Sequence, residues 1–132
     1  DVNSIEPNKR MLSSMTPTMV KKDDKLHLVL GSPGGPTIIT SVLQTILNFE
    51  EFNFDIKQSV NSPRFHHLWL PDLIYFENNT LTNDLKDDLL EKGYQINTNP
   101  SVIGRVDAIH VDKYGFLFGG ADKRGDDTSI GY

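Results

Sequence analysis

The residues best suited to chemistry form a glycine-rich turn, GSPGGP, at positions 31–36. The turn follows a strand-like run at 26–30 and precedes a helix-like run at about 37–49. A helix that begins just after glycines presents unpaired backbone N–H groups at the positive end of its dipole, where an anion or a developing oxyanion is stabilised. Gly34 and Gly35 are therefore the candidate catalytic residues, acting through their backbone N–H groups.

Two other interpretations of this turn remain open from the residues alone. It is also compatible with an ordinary connection between a strand and a helix, because isolated glycine motifs are common. A phosphate-binding P-loop is disfavoured, because that loop ends in Gly-Lys-Ser/Thr, whereas here Gly35 is followed by Pro36 and Thr37. Pro36 suits the start of a helix, where its missing N–H costs nothing.

A second candidate is the serine pair Ser13-Ser14, placed in a loop that enters a strand. Two adjacent hydroxyls can bind a carboxylate, or they can bond to nearby backbone. Serine competes well for backbone groups in turns, so the residues alone favour the local role.

Composition limits the classes of function. The chain has 132 residues, enough for one domain at most, and a net charge of −5, which argues against nucleic acid or an anionic membrane as partner. It has no cysteine, which excludes disulfides, thiolate metal sites and a cysteine nucleophile. We find no membrane-spanning run and no signal peptide at the start. Because the sequence begins Asp-Val-Asn without methionine, we expect a processed product or an excised fragment.

The chain predicts a layered α/β (α+β) fold with antiparallel sheets, built from hairpins and helices. Residues 19–20 and 26–30 form a predicted hairpin with a charged tip, and 106–111 and 116–119 form a second. Leu26, Leu28 and Leu30 share one strand face, which we expect to be buried.

The predicted first helix carries a broad apolar stripe that must pack on a sheet, formed by Ile38, Ile39, Val42, Leu43, Ile46 and Leu47. A short helix begins at Asp55, with Gln58 completing a capping box, and ends before Pro63. After a strand at 73–77, a helix at 82–92 ends at Gly93, with Leu85, Leu89 and Leu90 pointing inward.

His66 and His67 invite a metal site, but neighbours on a strand point to opposite faces and no third ligand lies nearby in sequence. We therefore predict no metal, and a buried, hydrogen-bonded histidine pair around Arg64. The charged, glycine-rich segment 120–127 is expected to form an ordered loop only if Arg124 finds carboxylates.

Taken together, the motifs resemble the C-terminal part of the small subunit of γ-glutamyltranspeptidase, over residues 1–132 as a single partial domain. The segments that carry the resemblance, in order, are PNKRMLSSMTPT at 7–18, LGSPGG at 30–35, IIT at 38–40, SPRFHHLWLPD at 62–72, Gly120-Ala121-Asp122 with Arg124, and the final Gly131-Tyr132.

The resemblance implies an N-terminal-nucleophile hydrolase fold, an αββα sandwich of antiparallel sheets. It implies an enzyme without a cofactor that cleaves the γ-glutamyl amide of glutathione and passes the acyl group to water, an amino acid or a peptide. The nucleophile is an N-terminal threonine exposed by self-cleavage, which would lie upstream of this chain. Its partners are the upstream part of the small subunit and the large subunit, and its location is periplasmic or extracellular.

Residue by residue, Gly34 and Gly35 match the glycines of the oxyanion hole, and Ser13 and Ser14 match the pair that binds the substrate's α-carboxylate. The resemblance thus reverses the local interpretation of the serines. It assigns structural support to Arg64, His66, His67, Asp122 and Arg124. Without the threonine, this chain alone is expected to be inactive.

The sequence departs from the family pattern at Pro36-Thr37, where Ser-Arg is common, and at Lys123, where proline is common. Two alternatives stay open: a cephalosporin-type acylase of the same fold, or a catalytically silent homologue acting as a binding or structural protein. A piece of a sandwich should also expose core faces, such as the Leu26/Leu28/Leu30 side or the stripe 38–47. The chain alone is therefore expected to need its upstream segment or to form a homo-oligomer.

Overall fold

The computed structural model describes residues 4–131. Along the chain, the elements of this part are β1 (Thr18–Lys22), β2 (Lys25–Gly31), α1 (Ile38–Glu50), α2 (Ile56–Asn61), β3 (Phe65–Leu68), β4 (Leu73–Phe76), α3 (Asn83–Glu91), β5 (Asp107–Val111) and β6 (Leu117–Gly120). The order confirms the hairpins and helices expected from the sequence, with ends shifted by one or two residues.

The strands form two antiparallel sheets. The larger sheet has the order β1-β2-β5-β6, so that β5 returns from far along the chain to pair with β2, as in Leu30 opposite Ala108. The smaller sheet is the hairpin β3-β4. This arrangement confirms the predicted layered fold with antiparallel sheets.

The core lies between one face of the larger sheet and the helices α1 and α2. Its buried apolar residues are Leu28, Leu30, Val42, Ile56, Val60, Val106 and Ala108. Burying a side chain of this size stabilises a fold by about 1.5–3 kcal/mol. Since β2 supplies two of these residues and α1 another, the core holds the end of β2 and the start of α1 in fixed relation.

Local signals place the helix ends where the sequence predicts them. The Asp55 carboxylate accepts from the Gln58 N–H at 2.7 Å, and the Gln58 side chain accepts from the Asp55 N–H at 3.1 Å. This confirms the capping box of α2. Gly93, with φ of 87°, follows the end of α3, as expected for a glycine at that position.

Two predictions of burial are wrong. Leu26 is 43% exposed, because β2 carries one extra residue, His27, opposite the junction of Val20 and Lys21, and such a bulge re-aims the side chains around it. No residue of α3 is fully buried: Leu89 is half-buried, and Leu85 and Leu90 are exposed. The pattern identifies the apolar face of α3, but no described element covers that face.

The expectation of exposed core faces is half right. The Leu28/Leu30 side is covered by the helices, whereas α1 exposes a stripe of residues spaced by four, Ile39, Leu43 and Leu47. The far face of the larger sheet also exposes Met19, Ile109 and Leu117. Within residues 4–131, no helix has the length and apolar character needed to cross a membrane.

We predict that residues 1–132, produced alone, associate in a concentration-dependent manner, because apolar faces of this extent drive contacts with other chains. Sedimentation velocity over a tenfold range of concentration measures the effect. The double variant Met19→Lys, Ile109→Lys should shift the distribution toward the monomer. A wild-type monomer at all concentrations, with one cooperative melting transition, would contradict the prediction.

Candidate functional site

The glycine turn lies where β2 ends and α1 begins. Residues 35–37 form a single 3-10 turn that continues directly into α1. Gly34 has φ of 137° and Gly35 has φ of 56°, a left-handed region that glycine adopts without strain. A Cβ on Gly34 would lie 2.6 Å from the Thr37 Oγ1 and 3.2 Å from the Gly104 Cα. Both backbone conformation and space therefore require glycine at position 34.

The N–H groups of Gly34 and Gly35 are the chemically available part of this turn. Neither donates a hydrogen bond to another residue of the described chain, and both glycines are exposed. They lie at the N-terminal end of α1, where the helix dipole favours negative charge. Two adjacent donors in this position can stabilise an anion or an oxyanion.

The serine pair lies beside this turn, in the loop before β1. The Ser32 N–H donates to the Met15 carbonyl at 2.8 Å, which attaches the serine loop to the end of β2. The Ser13 Oγ accepts from the Thr16 N–H at 3.2 Å, so its own hydroxyl hydrogen remains available for another acceptor. Both serines are exposed, and Ser14 Oγ bonds to no other residue in 4–131. The structure thus attaches the loop that carries the serines to the start of the glycine turn.

A buried arginine holds the next part of the chain. Arg64 is 1% exposed, and its guanidinium donates to the carbonyls of Ile103 at 3.0 Å and Val60 at 2.6 Å. It also donates to the Asp122 Oδ2 at 2.8 Å. Burial lowers the pKa of Arg64, but an arginine still keeps its proton at any ordinary pH.

Arg124 completes a neutral set of two cations and two carboxylates. Its guanidinium donates to the Glu77 Oε1 at 2.6 Å, to the Glu77 Oε2, and to the Asp122 Oδ1 at 2.9 Å. Burial alone would raise the pKa of both carboxyls, but hydrogen bonds from Arg124 and from backbone N–H groups outweigh it and hold both pKa values below the usual range. Arg124 therefore finds the carboxylates that the ordered C-terminal loop requires.

The two histidines point to opposite faces of β3. His66 is buried, and its Nδ1 lies 2.7 Å from the Thr40 Oγ1; burial, and then the nearby His67, lower its pKa. The His67 Nε2 lies 2.7 Å from the Asp72 Oδ1 at the surface. The prediction of a buried, hydrogen-bonded histidine pair is half right: His66 is buried and hydrogen-bonded, but alternation along the strand turns His67 toward the surface. Among residues 4–131, no three histidine, aspartate or glutamate side chains come together as metal ligands.

Sequence reasoning missed residues whose partners lie far along the chain. The Gln44 side chain on α1 accepts from the Phe65 N–H at 3.1 Å and donates to the Phe65 carbonyl at 2.7 Å, so it pairs with β3 as a strand would. Gly104, with φ of 63°, packs against the turn, and a Cβ there would lie 2.3 Å from the Ser41 Oγ. The only local signal for Gly104 is a lone glycine just before β5.

Comparison with known proteins now identifies the family. The sequence model of the γ-glutamyltranspeptidase family matches residues 1–132. The chain belongs to this family. The glutathione hydrolase proenzyme of Escherichia coli is 44% identical over an alignment 133 residues long, which covers 100% of this chain and 23% of that protein. The chain therefore spans about a quarter of the length of this curated relative.

Solved structures of the family agree with the fold. A mutant γ-glutamyltranspeptidase of Helicobacter pylori matches with a TM-score of 0.82 and 48% identity, over 95% of this chain and 68% of that one. The likeness confirms the N-terminal-nucleophile hydrolase type of fold. A Pseudomonas protein named acylase ACY 1 proenzyme is 31% identical over 127 residues, 96% of this chain and 22% of its own length.

We predict that Glu77→Gln lowers the free energy of unfolding by about 3 kcal/mol or more, because it leaves the two buried guanidinium groups of Arg64 and Arg124 with a single carboxylate, that of Asp122. Urea unfolding of the full-length protein measures this change. The control Glu91→Gln, at an exposed position on α3, should be nearly neutral. Equal effects of the two variants would argue against the buried set of charges.

The same network predicts loss of stability in acid. The pKa values of Glu77 and Asp122 are lower in the folded chain than their ordinary values of 4.5 and 3.8. The unfolded chain therefore binds more protons as pH falls, so the stabilisation is complete above about pH 5 and is lost progressively below it. Urea unfolding at pH 7 and pH 4 should show a smaller acid loss in Glu77→Gln than in the wild type.

Proposed function

We propose that this chain supplies the oxyanion hole and the carboxylate-binding loop of a γ-glutamyl hydrolase or transferase. The observation that carries the proposal is the pair of unpartnered N–H groups at Gly34 and Gly35, beside the hydroxyls of Ser13 and Ser14. Membership of the γ-glutamyltranspeptidase family supports it.

In the proposed reaction, a threonine hydroxyl from outside residues 1–132 attacks the carbonyl carbon of the γ-glutamyl amide. The carbonyl oxygen becomes negative as the new C–O bond forms, and the N–H groups of Gly34 and Gly35 stabilise it. The C–N bond then breaks, the amine leaves with the proton taken from the hydroxyl, and a γ-glutamyl ester remains. Water or an amine then attacks the ester carbonyl through a second oxyanion in the same position. The C–O bond to the threonine breaks, the threonine oxygen takes the proton lost by the attacking group, and glutamate or a new γ-glutamyl amide is released.

The serine hydroxyls have a different role in this proposal. Ser13 and Ser14 donate to the substrate's α-carboxylate, whose charge does not change during the reaction. Such contacts contribute equally to the ground state and the transition state, so they set KM and select γ-glutamyl compounds rather than set kcat.

The remaining components lie outside this chain. The upstream part of the small subunit and the large subunit would supply the nucleophile and cover the exposed apolar faces. The word proenzyme in the relative's name supports a processed precursor. The substrates would be glutathione and related γ-glutamyl compounds, the location periplasmic or extracellular, and the reaction requires no cofactor.

The experiment uses the full-length gene product. Intact mass and N-terminal sequencing show whether it divides into two pieces, the smaller beginning with threonine. Glutamate release from glutathione is then compared with cleavage of a dicarboxylic acyl amide that lacks the α-amino and α-carboxylate groups. Faster cleavage of the second substrate would favour the acylase alternative. An uncut, inactive product would favour the silent homologue.

We predict that Gly34→Ala in the full-length enzyme lowers kcat by roughly 100- to 1000-fold, because its Cβ displaces the turn that carries the oxyanion donors. Gly115→Ala is the matched control, because Gly115 also has a positive φ, 90°, but lies in the distant β5-β6 turn. The control should reduce thermal stability and leave kcat unchanged. Equal losses of activity would refute the assignment.

We predict that Ser14→Ala raises KM for a γ-glutamyl anilide by about 10- to 100-fold with a much smaller change in kcat, because a hydrogen bond to a charged group is worth about 1.5–3 kcal/mol. Ser101→Ala, at an exposed position away from the serine loop, is the control. A fall in kcat at constant KM would contradict a role in binding the carboxylate.

A further inference from the structure

The direction of each candidate oxyanion donor is set by the carbonyl of its own peptide unit. A planar trans peptide places its C=O and its N–H on opposite sides. The Gly34 N–H therefore points away from the Pro33 carbonyl, and the Gly35 N–H points away from the Gly34 carbonyl. A contact that fixes the orientation of either carbonyl therefore also fixes the direction of the N–H group in the same peptide unit.

A side-chain hydroxyl holds each of the two carbonyls. The Ser32 Oγ donates to the Pro33 carbonyl at 2.7 Å, and the Thr37 Oγ1 donates to the Gly34 carbonyl at 2.9 Å. The Thr37 N–H reinforces the second contact at 3.2 Å. The two hydroxyls lie on either side of the glycine pair in the sequence, one for each peptide unit.

The residues that carry the two hydroxyls are themselves fixed by further contacts. Ser32 is fully buried, and its Oγ accepts from the Arg105 N–H at 3.0 Å, so the hydroxyl has both a donor and an acceptor partner. The carbonyl of Thr37 accepts from the Thr40 Oγ1 at 3.0 Å and the Ser41 Oγ at 2.8 Å, which fixes the first turn of α1.

We propose that Ser32 and Thr37 are positioning residues that hold the Gly34 and Gly35 N–H groups toward the developing oxyanion. The assignment rests on the proposed function. Glycine backbones rotate easily, so an unanchored Gly-Gly turn would also populate orientations that place a carbonyl where a donor is needed. Preorganised donors need no rearrangement during the reaction, and that preorganisation is what the two hydroxyls provide.

Thr37 allows a sharp test in the full-length, processed enzyme. Thr37→Val removes the hydroxyl at nearly constant volume, whereas Thr37→Ser keeps it. The matched control is Thr45→Val, on the helix α1 that follows Thr37, which removes a hydroxyl-to-carbonyl bond of the same length, 2.9 Å, about two turns away. The rate of acylation by a γ-glutamyl anilide, kcat, KM and the inhibition constant of glutamate are measured for each variant.

We expect Thr37→Val to lower kcat and the acylation rate by about tenfold, less than the loss of a donor, with KM and glutamate inhibition unchanged. Thr37→Ser should restore at least half of the wild-type rate, and Thr45→Val should match the wild type. A boronate analogue of glutamate, whose tetrahedral adduct places an oxygen between the two donors, should bind Thr37→Val about tenfold more weakly.

Ser32→Ala tests the second hydroxyl and should also lower kcat at constant KM. If that variant does not fold, because the Arg105 N–H loses its acceptor, the Thr37 variants alone test the assignment. Wild-type kcat in Thr37→Val, or a rise in KM alone, overturns the assignment while the proposed function stands. A wild-type enzyme without γ-glutamyl turnover overturns both.

Discussion

The charge of Arg64 is the constraint on which the described structure depends. A guanidinium cannot lose its proton to escape burial, so its charge must be neutralised where it lies. Asp122 meets that need, and Arg124 and Glu77 balance the charges that remain. Segments that are distant in sequence are thereby tied together, since the network joins the end of α2, the β3-β4 hairpin, residues 103–106 and the C-terminal loop.

This network also supports the glycine turn, though it does not touch it. The Ile103 carbonyl accepts from Arg64, and the Val106 N–H donates to the Asp122 Oδ2 at 2.8 Å. Between these anchors lie Gly104 and Arg105, the residues that contact the turn through its Gly34 backbone and the Ser32 hydroxyl. The buried ion pairs therefore support the exposed donors indirectly, by fixing the segment that packs against the glycine turn.

The sequence alone predicts the features that local signals determine. The glycine turn, the capping box of α2 and the charged hairpin tips each lie within a few residues, and each is found. Burial is less predictable: Leu26 is displaced by a one-residue bulge, and α3 has an apolar face with nothing described against it. Pairings such as Gln44 with Phe65 leave no local trace, because the polar groups involved are 21 residues apart. The resemblance identified Arg64, Asp122 and Arg124, but only coordinates show which atoms meet.

The spacing of the ion pairs also sets an order of events while the chain is being synthesised. Asp122 follows Arg64 by 58 residues, and Arg124 follows Glu77 by 47. Proteins are made from the N-terminus, so Arg64 and Glu77 emerge long before either partner exists. Until Asp122 has been added, the Arg64 guanidinium lacks this carboxylate partner, and the Val106 N–H lacks the acceptor that helps to hold residues 103–106 under the glycine turn. Full support of the donors at Gly34 and Gly35 thus depends on a residue that is synthesised well after the glycines themselves.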